Sequence, residues 1–347
     1  MILITGASGW LGKNLSWAIA KRTFDLNLPH ELPRGLCIRC LILPKDDPNE
    51  LRALSSQIEP VQGDVRSPTD CARFCEGAKG AVLFHTAGVI HPQLIKHFYD
   101  VNVAGTRNLL SAAIEAGVRR AVVVSSNSPL GFNSHARQLF DESSPYSPYM
   151  HYGRSKLKME VLVKEVGAAG KIETVIVRPP WFYGPYQPRR QDLFFSMIRR
   201  GKMPIVGSGN NLRSMVYIGN LCEGLLLAAF AANAHGEIYW IADARPYSMN
   251  EIVDTIAKLL EQEFKFTVSQ NRIRLPQIVS ELAMFADATI QSLGFYSQKI
   301  HVLSEMNKNI ACSITKAQRD LGYRPKVALE EGMRRSLAWC IENGIPI

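Results

Sequence analysis

The sequence predicts an α/β chain: a doubly wound parallel sheet followed by a smaller C-terminal lobe. Three observations carry this expectation. The chain opens with a strand that runs straight into a glycine turn and an apolar helix, Met1-Ile-Leu-Ile-Thr-Gly-Ala-Ser-Gly-Trp-Leu-Gly12. Strand-like apolar runs then recur at 1–5, 37–43, 57–61, 80–84, 120–125 and 172–178, with helical patterns at 11–21, 68–76, 100–116 and 150–167 between most of them. Strand alternating with helix makes a parallel sheet covered on both faces. After Arg178 the alternation stops, and helical stretches near 191–201, 219–233, 248–262, 275–293 and 329–343 predict a separate lobe.

The first turn is a site for a dinucleotide pyrophosphate. Gly6 permits a tight turn, Gly9 lets backbone approach phosphates, and Gly12 lets the helix pack close to the strand. The helix N-terminus adds N–H groups and a positive dipole. Ser8, Trp10 and Leu11 complete the expected cradle of this Rossmann-type unit. The stretch 22–35, with Pro29 and Pro33, is too long for a simple helix-to-strand turn and reads as a surface excursion.

The second strand ends Leu41-Ile-Leu-Pro-Lys45, with Ile42 and Leu43 where an acidic partner for the ribose 2′-hydroxyl is ordinarily found. Nothing there repels a 2′-phosphate and Lys45 attracts one, so the expectation for the NAD(P) cofactor is NADP. Asp46 or Asp47 is the alternative ribose partner. Cys37 and Cys40 have redox-pair spacing, but residues three apart in a strand face opposite ways, so both read as packing residues. Cys71 and Cys75 read as one apolar helix side, and no metal site is evident.

Ala121-Val-Val-Val-Ser-Ser126 reads as a buried strand ending in hydroxyls, and the C-terminal strand ends of a parallel sheet form the ligand crevice. Tyr152 and Lys156 follow at the start of a helical pattern, four apart and so on one face. An adjacent ammonium favours phenolate, and such a tyrosine exchanges protons with an alcohol or ketone. Pro179-Pro-Trp-Phe-Tyr-Gly-Pro185 is a rigid, aromatic turn into the lobe.

The chain has 347 residues, 46 % of them hydrophobic, which suits a globular protein with a large core. No apolar run approaches bilayer-spanning length. The first strand begins at residue 2 and leaves no room for a signal peptide, so the expectation is a cytoplasmic protein. The net charge of +9 comes without a long basic run or an aromatic-basic module, which argues against nucleic-acid binding and suits an anionic cofactor. Seven cysteines in so long a chain predict no disulfide framework.

These motifs together resemble the extended short-chain dehydrogenase/reductase family, also called the NAD-dependent epimerase/dehydratase superfamily. Further segments agree: Gly63-Asp64-Val65, His85-Thr86-Ala87-Gly88, Val101-Asn102-Val-Ala-Gly-Thr106, and Arg178-Pro179 through Tyr183-Gly184-Pro185. The resemblance implies that Tyr152 is the acid/base, that Lys156 lowers its pKa and binds the nicotinamide ribose, and that Asn102 holds a relay water. It implies cofactor contacts at Asp64 (toward adenine), Val65, Thr86, Ala87, Gly88 and Pro179. Of Ser125, Ser126 and Ser128, alignment of the strand and of Gly131 selects Ser126 as the residue orienting the reacting oxygen, with Asn127 and Ser128 at the edge of the site. It also implies residues 1–178 as the dinucleotide-binding domain, with a returning segment near 214–241, and 179–347 as mainly substrate lobe. A homodimer through the helices at 100–116 and 150–167 would be family-like.

Within the family, sugar-nucleotide enzymes usually carry an Asn after the sixth strand to grip a diphosphate; here Trp181, Phe182 and Tyr183 make that surface aromatic. Phe84 through Thr106 and Gly207 through Asn220 are closer to the 3β-hydroxysteroid dehydrogenase and sterol-4-carboxylate 3-dehydrogenase branch. The resemblance therefore implies an oxidoreductase moving hydride between nicotinamide and a secondary alcohol or ketone of a sterol-like or other bulky apolar substrate. The alternatives are a sugar-nucleotide epimerase or dehydratase, for which Arg189, Arg190 and Arg213 would bind phosphates, and a non-catalytic cofactor sensor. The apolar stretch Leu275–Phe285 reads as a pocket wall, a membrane contact or an ordinary lobe-core helix.

Overall fold

The computed structural model describes residues 1–22, 35–135 and 138–347. The excursion expected at 22–35 falls almost wholly outside them. Six strands, β1 (Ile2–Thr5), β2 (Ile38–Ile42), β3 (Ile58–Gln62), β4 (Val82–His85), β5 (Arg120–Val124) and β6 (Glu173–Arg178), fall on the six apolar runs. With the later strand Ile238–Trp240 they form one parallel sheet of seven, in the order Ile238–Trp240, β6, β5, β4, β1, β2, β3. The order reverses between β1 and β4, where Thr5 pairs with His85 on one side and Leu41 on the other. The crevice at such a reversal, outside the carboxyl ends of the strands, is where α/β sheets take ligands.

Alternation along each strand divides the core into two layers. Ile2, Ile4, Cys40, Phe84, Val122 and Val175 face Leu11 and Leu15 of helix Trp10–Lys21, and Leu221 and Leu225 of helix Ile218–Phe230. Leu3, Leu41, Leu83, Ala121, Val123 and Ile176 face Phe74, Leu109, Leu110, Met159 and Val163 on the other side. Helix Ile218–Phe230 packs on helix Trp10–Lys21, so the stretch after 214 returns to the sheet. All seven cysteines are free.

The helical pattern at 100–116 is divided. Helix Thr106–Glu115 is regular, but Asp100–Gly105 forms a wider π-type turn in which Asn102 is fully buried. Beyond Arg178 the helices Arg189–Arg199, Met249–Lys258, Ile278–Ser292 and Leu329–Glu342 match sequence periodicity, while Gln298–Glu305 and Thr315–Leu321 add two that it did not mark. Among the described residues no helix is long and apolar enough to cross a membrane.

Candidate active site

A single cavity of about 560 Å³ runs from the glycine turn, past the ends of β4 and β5, to the C-terminal lobe. At its inner end Gly9 N–H donates to the Gly6 carbonyl at 3.0 Å, closing the turn. A Cβ on Gly12 would lie 2.3 Å from that carbonyl oxygen and 2.7 Å from Ala7 Cα, so only glycine lets the helix start this close to β1. The first N–H groups of the helix have no intrahelical acceptor, and its first turn holds no acidic residue. Gly6, Gly9, Trp10, Leu11 and Gly12 all line the cavity. This narrow, donor-rich cradle fits a dinucleotide pyrophosphate.

Trp10 also has a second duty. Its indole N–H donates to the Pro185 carbonyl at 2.8 Å, Asn14 donates to the same oxygen at 3.1 Å, and its ring lies 4.8 Å from that of Phe182. The glycine helix is thereby tied to the aromatic turn. Ser8 points away from the cavity and donates to Asp46 Oδ2, which also accepts from Leu43 N–H at 3.2 Å. Lys45 is exposed and does not line the cavity. The acidic side chain beside the turn is thus Asp46, four residues past the end of β2.

Thr86 hydroxyl donates to the Thr5 carbonyl at 2.6 Å and faces the cavity, while Ala87 packs its backbone under Gly6. Gly88 lies where a Cβ would come within 3.4 Å of both Asn102 Oδ1 and Lys156 Nζ. His85, below them, is buried between Thr5 and Thr106 hydroxyls at 2.7 and 2.8 Å. Burial, with Lys156 nearby, pushes its pKa down to about 3, so it is a neutral strut.

The serine run separates into roles. Ser125 lines the cavity too, but its hydroxyl is committed to Glu160 Oε1 at 2.6 Å. Ser126 is free of that tie, stands 3.2 Å from Ser128 Oγ, and lies close enough to Tyr152 to favour its phenolate. Helix Met150–Ala168 brings Tyr152 and Lys156 to this point, and Gly153 makes the approach possible: a Cβ there would sit 2.5 Å from the Ser128 carbonyl oxygen. Ser126, Asn127, Ser128, Tyr152 and Lys156 all line the cavity.

Burial pushes the Tyr152 phenol up to about 12, against lowering by the Ser126 hydroxyl and by Arg190. Lys156 is pulled down to about 8 by burial, and its ammonium donates to the Val124 carbonyl at 3.0 Å. The expected depression of Tyr152 by Lys156 is therefore corrected: the ammonium is turned to the end of β5, and Ser126 and Arg190 are what favour phenolate. Glu160, one turn past Lys156, escaped sequence reasoning although its spacing continues the Tyr152–Lys156 face.

Three further expectations need correction. Asn102 does not line the cavity; its side chain accepts from Val89 N–H at 2.9 Å and donates to Val89 O and Ser155 Oγ, each at 3.1 Å. Both of its amide N–H groups are committed and its Oδ1 already accepts one bond, so it acts as a clamp on the loop after β4. Tyr183 is fully buried and donates to Asp243 at 2.7 Å, so of the aromatic turn only Trp181 and Phe182 reach the cavity. Asp64 lies outside it and is held by Arg66 at 2.6 Å, and Val65 is buried against Gly105. Pro179 does line it.

The outer part of the cavity is two-natured. Phe194, Met203, Met249, Val302, Met306 and Ile310 supply apolar wall. Arg190, Gln191, Arg213, His91, His301 and Glu305 supply polar groups, most of them unmarked by any sequence pattern because they come from separate elements. Gln191 Nε2 and Arg213 Nε are buried with no hydrogen-bond partner among the described residues. His301 bonds the fully buried Asp287 at 2.7 Å. Burial works against its protonated form, but Asp287 and Glu305 outweigh it and hold the pKa above the usual histidine range.

Residues 2–242 match the model of the NAD dependent epimerase/dehydratase family. The chain belongs to that family. The uncharacterized protein y4nL of Sinorhizobium fredii is 52 % identical to it, over 99 % of this chain and 96 % of that one. The 3beta-hydroxysteroid-dehydrogenase/decarboxylase isoform 1 of Arabidopsis thaliana is 29 % identical, over 82 % of this chain and 67 % of that one. Among solved structures, the dTDP-glucose 4,6-dehydratase DesIV of Streptomyces venezuelae, determined with NAD bound, superposes with a TM-score of 0.76 at 24 % identity, over 99 % of this chain and 97 % of that one. Similarity at this level also reaches the N-acetyl-alpha-D-glucosaminyl-diphospho-ditrans,octacis-undecaprenol 4-epimerase of Escherichia coli O157:H7, 28 % identical over 80 % of this chain and 82 % of that one, so this epimerase/dehydratase family member resembles both hydroxysteroid and sugar enzymes.

Proposed function

We propose that the protein is a nicotinamide-dependent dehydrogenase or ketoreductase acting on a secondary alcohol or ketone of a bulky, largely apolar molecule. The observation that carries this reading is the wall where a diphosphate grip would otherwise stand: Trp181 and Phe182 beside Phe194, Met203 and Met249. Apolar area removed from water stabilises a ligand by roughly 25 cal/mol per Å², so a steroid-sized body binds such a wall without a charged anchor. The likeness to the Arabidopsis hydroxysteroid enzyme supports it.

In this reading the dinucleotide lies along the Gly6–Gly12 cradle, with Thr86, Gly88 and Lys156 along its path and Pro179 at its far end. Bound nicotinamide supplies or accepts the hydride. Ser126 holds the reacting oxygen by a hydrogen bond. Tyr152, protonated at neutral pH, delivers its proton to that oxygen in reduction and takes it back in oxidation. Asn102 keeps the β4 loop in place.

A second reading has its own observation. Arg190, Gln191 and Arg213 present donors to the cavity, and those of Gln191 and Arg213 are partly unpaired. That is a fitting environment for the phosphates of a nucleotide sugar. Thermal stabilisation separates the two. A hydroxysteroid or bulky ketone is expected to raise the melting temperature of the cofactor-loaded protein, and UDP-, GDP- and dTDP-sugars to leave it unchanged. Stabilisation by the nucleotide sugars alone would favour the second reading.

For the cofactor we propose NAD. Asp46 stands beside the glycine turn, fixed by Ser8 and Leu43, where a carboxylate accepts from a ribose 2′-hydroxyl and repels a 2′-phosphate. Calorimetry is expected to find NAD bound at least about tenfold more tightly than NADP, and Asp46→Ser to narrow that ratio. Tighter NADP binding by the unaltered protein would restore Lys45 as the deciding residue.

A further inference from the structure

Helix Ile278–Ser292 turns an apolar stripe outward. Ile278, Leu282 and Phe285 are 59, 62 and 75 % exposed, and their spacings of four and three place them on one face. The surface continues past the helix end through Leu293 and Phe295, at 69 and 57 %, and across an isolated strand bridge from Phe295 to Leu94. The opposite face does the packing: Ser280, Ala283, Asp287 and Gln291 are buried, with Ser280 bonded to the Ser304 carbonyl and Asp287 to His301. So the stripe is not the inner side of a lobe-core helix. Single exposed leucines are ordinary; a run of six large apolar side chains on one surface marks an interaction site.

Charge around the stripe selects the partner. Arg274 and Lys299 flank it in sequence, each four residues beyond an end of the stripe, and both are exposed. The acidic side chain on the helix's outer half, Glu281, is neutralised by Lys308. With a net charge of +9 on the chain, this rim complements an anionic lipid surface. A second copy of the chain seated on the same face would bring like-charged rims together, which is unfavourable.

Helix Gln298–Glu305 packs on the buried face of helix Ile278–Ser292, so the stripe is left without a partner from this lobe among the described residues. We propose that Ile278, Leu282, Phe285, Leu293, Phe295 and Leu94 seat the protein on an anionic lipid surface. The docking is independent of the apolar substrate proposed above.

The test is sedimentation of the full chain with vesicles of phosphatidylcholine alone and of phosphatidylcholine with phosphatidylglycerol. The expected result is binding that rises with the anionic fraction, weakens with salt, and falls by about tenfold or more in Leu282→Ser/Phe285→Ser. That double variant is expected to keep cofactor affinity and turnover of a short water-soluble ketone, since neither side chain lines the cavity. Absence of vesicle binding, or equal binding by the double variant, would overturn the docking. So would a dimer in analytical ultracentrifugation that the double variant dissolves, because the face would then belong to a second copy. Vesicle binding as expected, with no turnover of any apolar alcohol or ketone, would leave the docking standing and sink the substrate reading.

Discussion

Tyr152→Phe is expected to keep cofactor affinity and to lose turnover by about 10²–10⁴-fold, the usual worth of a positioned acid/base. The substitution removes one oxygen. The ring keeps its packing 5.7 Å from Phe98, and helix Met150–Ala168 keeps its seat through Gly153. What disappears is the proton that Ser126 and Arg190 help to poise. Steady-state kcat, measured together with cofactor binding by calorimetry, checks this. Near-normal turnover with normal binding would remove Tyr152 from the proton step and leave Ser126 without a reacting partner.

The largest effect on stability is expected at Glu160. It is fully buried, holds Arg178 at 2.7 Å, and accepts from Ser125 and Tyr146 at 2.6 and 2.8 Å. Arg178 is itself 1 % exposed at the end of β6, stacked 5.3 Å from the Tyr146 ring and 5.7 Å from that of Trp240. In Glu160→Ala the guanidinium stays buried with no counter-charge, which costs about 3–5 kcal/mol. The same change frees Ser125 to rotate beside Ser126, so turnover is expected to fall even where the protein remains folded. Urea unfolding of the variant checks the first effect. A loss below about 1 kcal/mol would mean that solvent reaches Arg178 in the folded chain.

The glycine turn, the strands and the Tyr152–Lys156 face were legible because each depends on local spacing. Period-two alternation marks both core layers of β1 and β5, and a four-residue interval places two side chains on one helix face. The cofactor contact was left between Lys45 and Asp46 or Asp47 for a physical reason. The sequence suggests Lys45 by adjacency to β2, but the chain turns after Pro44 so that Asp46, one residue later, comes back to Ser8. Tyr183 shows the same limit. In an aromatic triplet two side chains face the cavity and one must face the core, and only the pairing of Tyr183 with the Tyr217 strand and with Asp243 decides which. The outer cavity was the least legible part. Arg190, Arg213, His301 and Glu305 come from three distant segments, and no local pattern registers a meeting of that kind.

The central claim is that hydride leaves an apolar alcohol and stays on the nicotinamide. It is tested most directly by incubating the protein and NAD with a 3β-hydroxysteroid carrying deuterium at the carbinol carbon, and in parallel with a nucleotide sugar deuterated at C4. Reduced cofactor is expected to accumulate with the steroid's deuterium on its nicotinamide ring, and the sugar to be returned unchanged. Epimerised or dehydrated sugar, with no reduced cofactor and no label transfer from any apolar alcohol, would contradict it.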